Sequence, residues 1–464
     1  MAVGHVVRLG RGRLVVLAAA LLLPGWAAAQ PQTLFPPTLL VPNYNRVFPG
    51  LDESIEAGAS LVRAGTPPAL WYNPSGLVLS TRTTVNASVQ GYQITFLQGS
   101  NVLHGGTQES NLSTVPTFVG IVLGEEAIPL KNVRFGFGVN NPVSWTQGVN
   151  PASPISPATS VLYSVNSSFT QYQPDAAVAW AVSETFRLGF ELSLPYTQLN
   201  TTGQLSGSMG TTTALTSSIR TASFYAYNFH IVPSVSFQWE ALPWLGVGAM
   251  VQPPALRLLA GGNLTLTGLD SETITSPSLT RQQSFRDTSA TFNYVIPAEV
   301  SGGVAFKLLP VEFELDVHWY VATGPYNLVS SSAPITVISG VTGVPPQKVI
   351  SPFPTQVWGI RNVVDFNLGG SLYLSKLIKL LAGVYTDQAP GNVQSNVFQH
   401  ITFYGVRAGI AFSSSHLSGS VGFGYERGST SVPLQVNLPG APINITQPLT
   451  FQTLSLLFAL AYVF

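Results

Sequence analysis

Val311-Glu-Phe-Glu-Leu-Asp-Val-His-Trp-Tyr-Val321 alternates without a fault. Apolar side chains stand at 311, 313, 315, 317, 319 and 321, and Glu312, Glu314, Asp316, His318 and Tyr320 fall between them. A period of two is a β-strand with one greasy face and one ionic face. Taken alone, such a strand fits a half-buried sheet in water equally well. The pattern recurs along the chain, however, in segments of roughly 9–11 residues, the length a tilted strand needs to cross a bilayer. The greasy face then meets lipid and the ionic face lines a lumen.

Composition agrees. The 464 residues carry zero net charge, only 9% charged residues, 43 Gly, 35 Pro and no Cys. No basic surface invites nucleic acid, and so little charge is unusual for a domain held in water. Arg8, Arg11 and Arg13, the apolar run 14–23 and Ala27-Ala28-Ala29 before Gln30 have the three regions of a secretory signal peptide, placed at 1–29. That run is too short to span a membrane as a helix, and no run of eighteen apolar residues follows. An exported membrane protein without such a helix must be a closed barrel, the other fold that satisfies every backbone group in hydrocarbon.

The expected fold is therefore all-β: a transmembrane antiparallel up-and-down barrel of about 14 strands at 83–464, with residues 30–82 as an N-terminal plug inside the lumen. Residues 30–82 are proline-rich (Pro31, Pro36, Pro37, Pro42, Pro49) and lack alternation, so they are not wall; 54–62 is expected as a short helix. Alternation places strands at 83–96, 113–123, 133–140, 171–183, 186–194, 222–239, 244–252, 291–307, 311–321, 357–374, 378–386, 401–412, 417–425 and 452–464. Long connections (97–112, 141–170, 195–221, 253–290, 322–356, 387–400, 426–451) alternate with short turns, the sorting of outer-membrane barrels, which puts both termini in the periplasm. The last strand sets Leu454, Leu456, Phe458, Leu460, Tyr462 and Phe464 on one face. Its terminal Phe resembles the signal read by the bacterial barrel-assembly machinery.

Three stretches resemble the FadL/TodX/OmpP1 family of outer-membrane transporters for long-chain fatty acids and other hydrophobic compounds. Asn73-Pro74-Ser75-Gly76-Leu77 is similar to the Asn-Pro-Ala-Gly motif of that family's hatch, with Ser75 in place of Ala. Residues 245–254, Leu-Gly-Val-Gly-Ala-Met-Val-Gln-Pro-Pro, are similar to its mid-barrel strand, and residues 380–390, Leu-Leu-Ala-Gly-Val-Tyr-Thr-Asp-Gln-Ala-Pro, to its RAGVxYDxSP-like segment. Two features depart from the family: the proline-rich lead into the hatch, and loops sparse in basic residues. The resemblance implies passive uptake of a hydrophobic small molecule, captured by extracellular loops, bound in an apolar pocket and released sideways into outer-membrane lipid after a plug shift. It implies no cofactor.

Alternation assigns Arg134, Asp175, Arg187, Glu191, His230, Glu299, Lys307, Glu312, Glu314, Asp316, His318, Arg361, Asp365, Lys379, Arg407 and Glu426 to the inner face. Such charges form ion pairs that hold the plug, for example Glu312, Glu314 and Asp316 near Arg361; alternatively Arg361 or Arg407 anchors a ligand carboxylate. Phe224, Val232, Val295, Val363, Leu381, Tyr385 and Phe403 are apolar inner residues, which either pack on the plug or line a ligand pocket. At roughly 0.8 kcal/mol per buried methylene, an eight-carbon chain would bind at the micromolar level after association costs.

Gly136 and Gly138, with Asn140, Asn141 and Pro142, weaken the third strand, where the resemblance implies a lateral opening; an ordinary strand end with an Asn-Pro turn reads the same. Apolar Trp145, Val149, Ile155, Leu162, Leu256, Leu258, Leu259 and Leu264 in the 141–170 and 253–290 connections either capture the ligand or cap the barrel. No Gly-x-Ser-x-Gly elbow, His-Glu-x-x-His pair or P-loop occurs, and the six His show no metal spacing. No enzyme or metal site is expected. A porin and a structural or adhesive barrel remain as alternatives to a transporter.

Overall fold

The computed structural model describes residues 39–40, 43–99, 113–149, 152–156, 159–210, 214–274, 279–341, 343–353, 356–391, 398–399, 401–438 and 441–464. The expected signal peptide and most of the proline-rich lead lie outside the described residues.

The wall is a closed antiparallel barrel of fourteen strands, as alternation predicts. Its first half is β1 (Thr84–Gly99), β2 (Ser113–Leu123), β3 (Val133–Val149), β4 (Thr159–Ala181), β5 (Phe186–Ser193 continued by Tyr196–Gly210), β6 (Ala214–Leu242) and β7 (Leu245–Gln252 continued by Leu256–Ile274). Its second half is β8 (Leu279–Phe292 continued by Glu299–Leu308), β9 (Val311–Tyr320 continued by Thr323–Ser330), β10 (Gln356–Ile360 continued by Val363–Tyr373), β11 (Ile378–Asp387), β12 (Thr402–Ser413), β13 (Leu417–Leu438) and β14 (Ala441–Val463). Pairing of Thr84 with Val463 closes the ring, so neither terminal strand leaves an open edge.

Alternation survives in three dimensions. Along β9, Val311, Phe313, Leu315 and Trp319 are exposed, while Glu314, Asp316, His318 and Tyr320 are buried. The outer surface is apolar and bounded by aromatic side chains. Trp239, Trp244, Phe313, Phe412 and Tyr462 are exposed near the short turns, and Tyr172, Tyr225, Trp319, Tyr404 and Tyr425 are exposed higher up. Aromatic girdles on both sides of an apolar band are what two lipid–water interfaces select.

Three expectations are corrected. The connections at 141–170, 195–221, 253–290, 322–356 and 426–451 are largely strand: wall strands run on past the band and close in hairpins. Above the band both faces are polar, as in Thr197-Gln-Leu-Asn-Thr-Thr-Gly-Gln204, so apolar alternation ends where strand does not. Second, 291–307 and 357–374 are each interrupted, at 293–298 and at 361–362. Pro297 lacks the N–H a ladder needs in the first of these. Third, the helix expected at 54–62 is a run of turns, because Ala57 (φ 55°) and Gly58 (φ 78°) take the left-handed conformation. The N-terminal segment instead carries one helical turn, Ala69–Tyr72, and the 3-10 helix Pro74–Leu79.

Candidate functional site

The inner face of β9 holds residues 60–63 by their backbone. Asp316 Oδ2 accepts the N–H groups of Ser60 and Leu61 at 2.8 and 3.0 Å, and Glu314 accepts those of Val62 and of Arg63, the latter at 3.2 Å. Arg63 Nε also donates to Glu314 at 2.9 Å, and its guanidinium pairs with Glu56. Two carboxylates thus gather four successive peptide N–H groups that turns leave without ladder partners.

Contacts continue around the barrel. Asn45 N–H donates to Asp387 at 2.9 Å (β11), Arg46 pairs with Glu426 (β13), Lys379 (β11) pairs with Asp52, and Gly50 N–H donates to Ser88 at 3.0 Å (β1). Residues 45–63 thus contact inward-facing residues of β1, β9, β11 and β13. Burial, reinforced by the neighbouring Asp52 charge, pushes the Glu53 carboxyl up to about 7.

The Asn73-Pro74-Ser75-Gly76 stretch is a docking joint. The Asn73 side-chain amide donates to Leu61 O at 2.8 Å and to Phe237 O on β6 at 2.9 Å, while its oxygen accepts from Ser75 Oγ at 2.6 Å. Ser75 N–H also reaches Ser236 Oγ at 3.1 Å. A side chain at Gly76 would collide with Ala64 O. On the wall, Gly369 (β10) and Gly383 (β11) are register partners and together cradle the peptide of Glu56, where a Cβ on either would strike it. Gly383 belongs to the second family-like wall stretch, and close approach of the segment explains it.

Of the inner-face charges, every residue named above is buried or half-buried except Arg361. That residue lies in the β10 interruption, is exposed, and donates through Nε to Ala389 O at 3.0 Å. The expected grouping of Glu312, Glu314 and Asp316 with Arg361 is overturned: Asp316 pairs in register with Asn367, six residues further along β10, and the break turns Arg361 outward. Glu312 instead accepts from Tyr373 OH at 3.2 Å. Arg407 is buried, donates to Ser54 O at 2.8 Å and Arg46 O at 3.2 Å, and lies over the rings of Phe48 and Tyr385. Its guanidinium holds the segment.

Alternation groups the seven apolar inner residues, but the structure divides them. Phe224 and Phe403 belong to a large buried cluster in the upper lumen with Phe169, Phe292, Tyr294 and Trp358, and Tyr44 packs against it. Leu381 packs with Ile55, and Tyr385 with Phe48 and Ala57, all from the N-terminal segment. Val232 and Val363 are buried outside that cluster, and Val295 is half-buried in the β8 interruption. Tyr294 escaped sequence reading because it sits where the strand is broken. Leu264 joins the lumen cluster, whereas Leu256, Leu258 and Leu259 are exposed at the β7 interruption. The side chains of Trp145, Val149, Ile155 and Leu162 lie outside the described residues.

Beneath this cluster lies a cavity of about 80 Å3, between Tyr44, Phe48, Trp71 and Tyr72 of the segment and Pro142, Glu191, Tyr294, Pro297, Glu299 and His318 of the wall. It abuts a seam. The β2–β3 ladder runs from Leu123–Phe135 to Phe118–Asn140 and stops. β2 shifts register against β1 at Ser88/Val89, and β3 shifts against β4 between Asn140 and Val143. Continued pairing would set Pro116 against Pro142, and neither has an N–H to give. Gly136 and Gly138 lie below this point in unbroken ladder, under Leu70 and Leu77 of the segment, so the weak place is Asn140-Asn141-Pro142. A second seam separates β7 from β8 between the pairs Gln252–Glu299 and Gly262–Ala290. Among the described residues no group of His, Asp or Glu suits a metal ion.

No family model matches the sequence, and no curated protein matches it either. The fold is nevertheless shared with solved structures across nearly the whole chain. The Pseudomonas putida toluene transporter TodX is 13% identical, with 90% of this chain and 99% of that one covered at a TM-score of 0.58. A Pseudomonas aeruginosa FadL homologue is 12% identical over 91% and 100%, at 0.56. The CymD monoaromatic hydrocarbon channel is 11% identical over 91% and 99%, at 0.54.

Proposed function

We propose that this chain is a bacterial outer-membrane passive transporter for hydrophobic small molecules, of the FadL/TodX kind. The observation that carries the reading is the lumen itself. It holds a buried aromatic and aliphatic cluster that shares Tyr294 with a cavity beside the place where the β2–β3 ladder ends. A polar pore would need a water-lined channel, whereas here buried apolar side chains and contacts with residues 45–63 occupy the inner face. A purely structural barrel has no use for a wall seam next to an internal cavity.

The proposed route uses these features. A hydrophobic molecule adsorbs at the exposed leucines and outer hairpins, enters among Phe224, Phe292, Tyr294 and Phe403, and reaches the cavity. The cavity is far below the roughly 300 Å3 of a ligand pocket, so passage requires 43–80 to move. Release is sideways at the β2–β3 seam into the outer leaflet, with transfer into lipid as the driving force. No energy source is needed. The solved transporters and channels of toluene and monoaromatic hydrocarbons with the same fold support this reading, as do the aromatic girdles and the signal-like sequence at 1–29.

Native mass spectrometry of protein released gently from detergent, together with titration of a fluorescent lipophile, tests it. Retained lipophile, with affinity lowered by Phe403→Ala or Phe224→Ala, is expected. Absence of binding together with large ion conductance in a planar bilayer would overturn it in favour of a porin.

A further inference from the structure

We infer that the cavity selects against carboxylates, so that the molecule it passes is an uncharged hydrophobe: a hydrocarbon, an aromatic ring, an alcohol or an ester. This rests on the transporter reading and narrows its ligand class. The wall side of the cavity presents two carboxyl groups, Glu191 and Glu299, and among the described residues no Lys or Arg lines it. Its one basic side chain, His318, is already committed, with Nδ1 2.9 Å from Glu299 Oε1. Glu191 is occupied as an acceptor, taking hydrogen bonds from Ser193 Oγ at 3.0 Å and Ser234 Oγ at 3.1 Å.

Other cations of the inner face and the N-terminal segment are engaged as well. Arg46 is paired with Glu426, Arg63 with Glu56 and Glu314, and Arg187 with Glu240. Arg407 donates to two carbonyls of the N-terminal segment. An arriving carboxylate would therefore be buried with no free cation to meet it, the arrangement that desolvation penalises. An uncharged molecule meets no such barrier. Trp71, Tyr294 and Tyr320 offer aromatic walls, and Gln171, Gln173 and Gln252 offer amides for a hydroxyl or ester oxygen.

The test is displacement of diphenylhexatriene, an uncharged fluorescent hydrocarbon, from the full-length protein in detergent at pH 8. Competitors are toluene, dodecanol, methyl dodecanoate and dodecanoate. The neutral compounds are expected to displace the probe and dodecanoate to do so at least tenfold more weakly than its methyl ester. Gln173→Lys or Gln252→Lys should close that gap by supplying a cation; heat-modifiable mobility on a gel confirms that each variant has formed its barrel. Equal displacement by acid and ester, or lysine variants that leave dodecanoate affinity unchanged, would overturn the inference while leaving the transporter reading intact. No binding by the probe would overturn the transporter reading, and this inference with it.

Discussion

Asp316, on the inward face of the wall, and Ser60, 256 residues earlier, are joined by a 2.8 Å hydrogen bond from the Ser60 N–H to the carboxylate. The same oxygen accepts from Leu61, and Glu314 takes the next two N–H groups. Hydrogen bonds to a charged group contribute about 1.5–3 kcal/mol each. Asp316→Ala leaves two buried peptide N–H groups without their acceptor and should loosen residues 43–80 without opening the barrel. Limited proteolysis in detergent should cut that segment at least tenfold faster in the variant, while the barrel keeps its heat-modifiable mobility. Unchanged cleavage would mean that the segment is held elsewhere.

Glu53 makes the seating of the segment pH-dependent. Its Oε2 is buried without a hydrogen-bond partner, and burial together with Asp52 raises its folded pKa from 4.5 to about 7. An acid with a raised folded pKa binds more protons in the folded state. Stability is therefore lost as pH rises from about 4.5 to about 7 and is flat above, by on the order of 2–3 kcal/mol. Proteolysis of 43–80 should be slower at pH 5 than at pH 8, and Glu53→Gln should reduce the difference and protect the segment at pH 8, the remainder falling to Glu56, which burial also raises to about 7. A variant whose pH profile matches wild type would assign the dependence to another group.

The wall within the membrane was legible because lipid and lumen impose opposite polarity on successive residues, which a period of two records directly. Glu314, Asp316 and Arg407 were placed inward on that basis alone. Arg361 was misplaced because alternation was carried through 361–362, where the strand is interrupted and the phase is lost. Strands above the membrane read as loops in the sequence, since water wets both of their faces and leaves no contrast. What Asp316 and Glu314 hold was beyond the sequence: the partners are peptide N–H groups some 250 residues away, and every non-proline residue has one. The division of Phe403 from Tyr385 was equally hidden. Both point inward, and only the path of residues 43–80 decides which of them meets the segment and which meets the upper cluster.

Gly369 and Gly383 face each other across β10 and β11 under the Glu56 peptide. Gly369→Val puts a branched side chain where backbone already lies, and overpacking of this kind costs typically 1–3 kcal/mol. The barrel has room to keep its ladder, so the cost should fall on the segment. Exchange of residues 54–58 against deuterium should accelerate in the variant while exchange in β10 and β11 does not. Loss of protection in the strands instead would place the strain in the wall.

The proposed sideways release would make the β2–β3 seam a working part, and its chemistry allows a clean test because the chain has no cysteine. Thr117 and Asn141 flank the point where the Phe118–Asn140 pair ends the ladder, and both are buried. The variant Thr117→Cys with Asn141→Cys, oxidised, ties the two strands where Pro116 and Pro142 leave them unpaired. Uptake of an uncharged hydrophobe into cells or vesicles should fall at least tenfold on oxidation and return on reduction, while detergent-phase binding in the lumen stays within about twofold. Binding and release are thereby separated: a crosslink that abolishes both would mean the seam shapes the pocket, and one that affects neither would move the exit to the unpaired β7–β8 seam between Gln252–Glu299 and Gly262–Ala290.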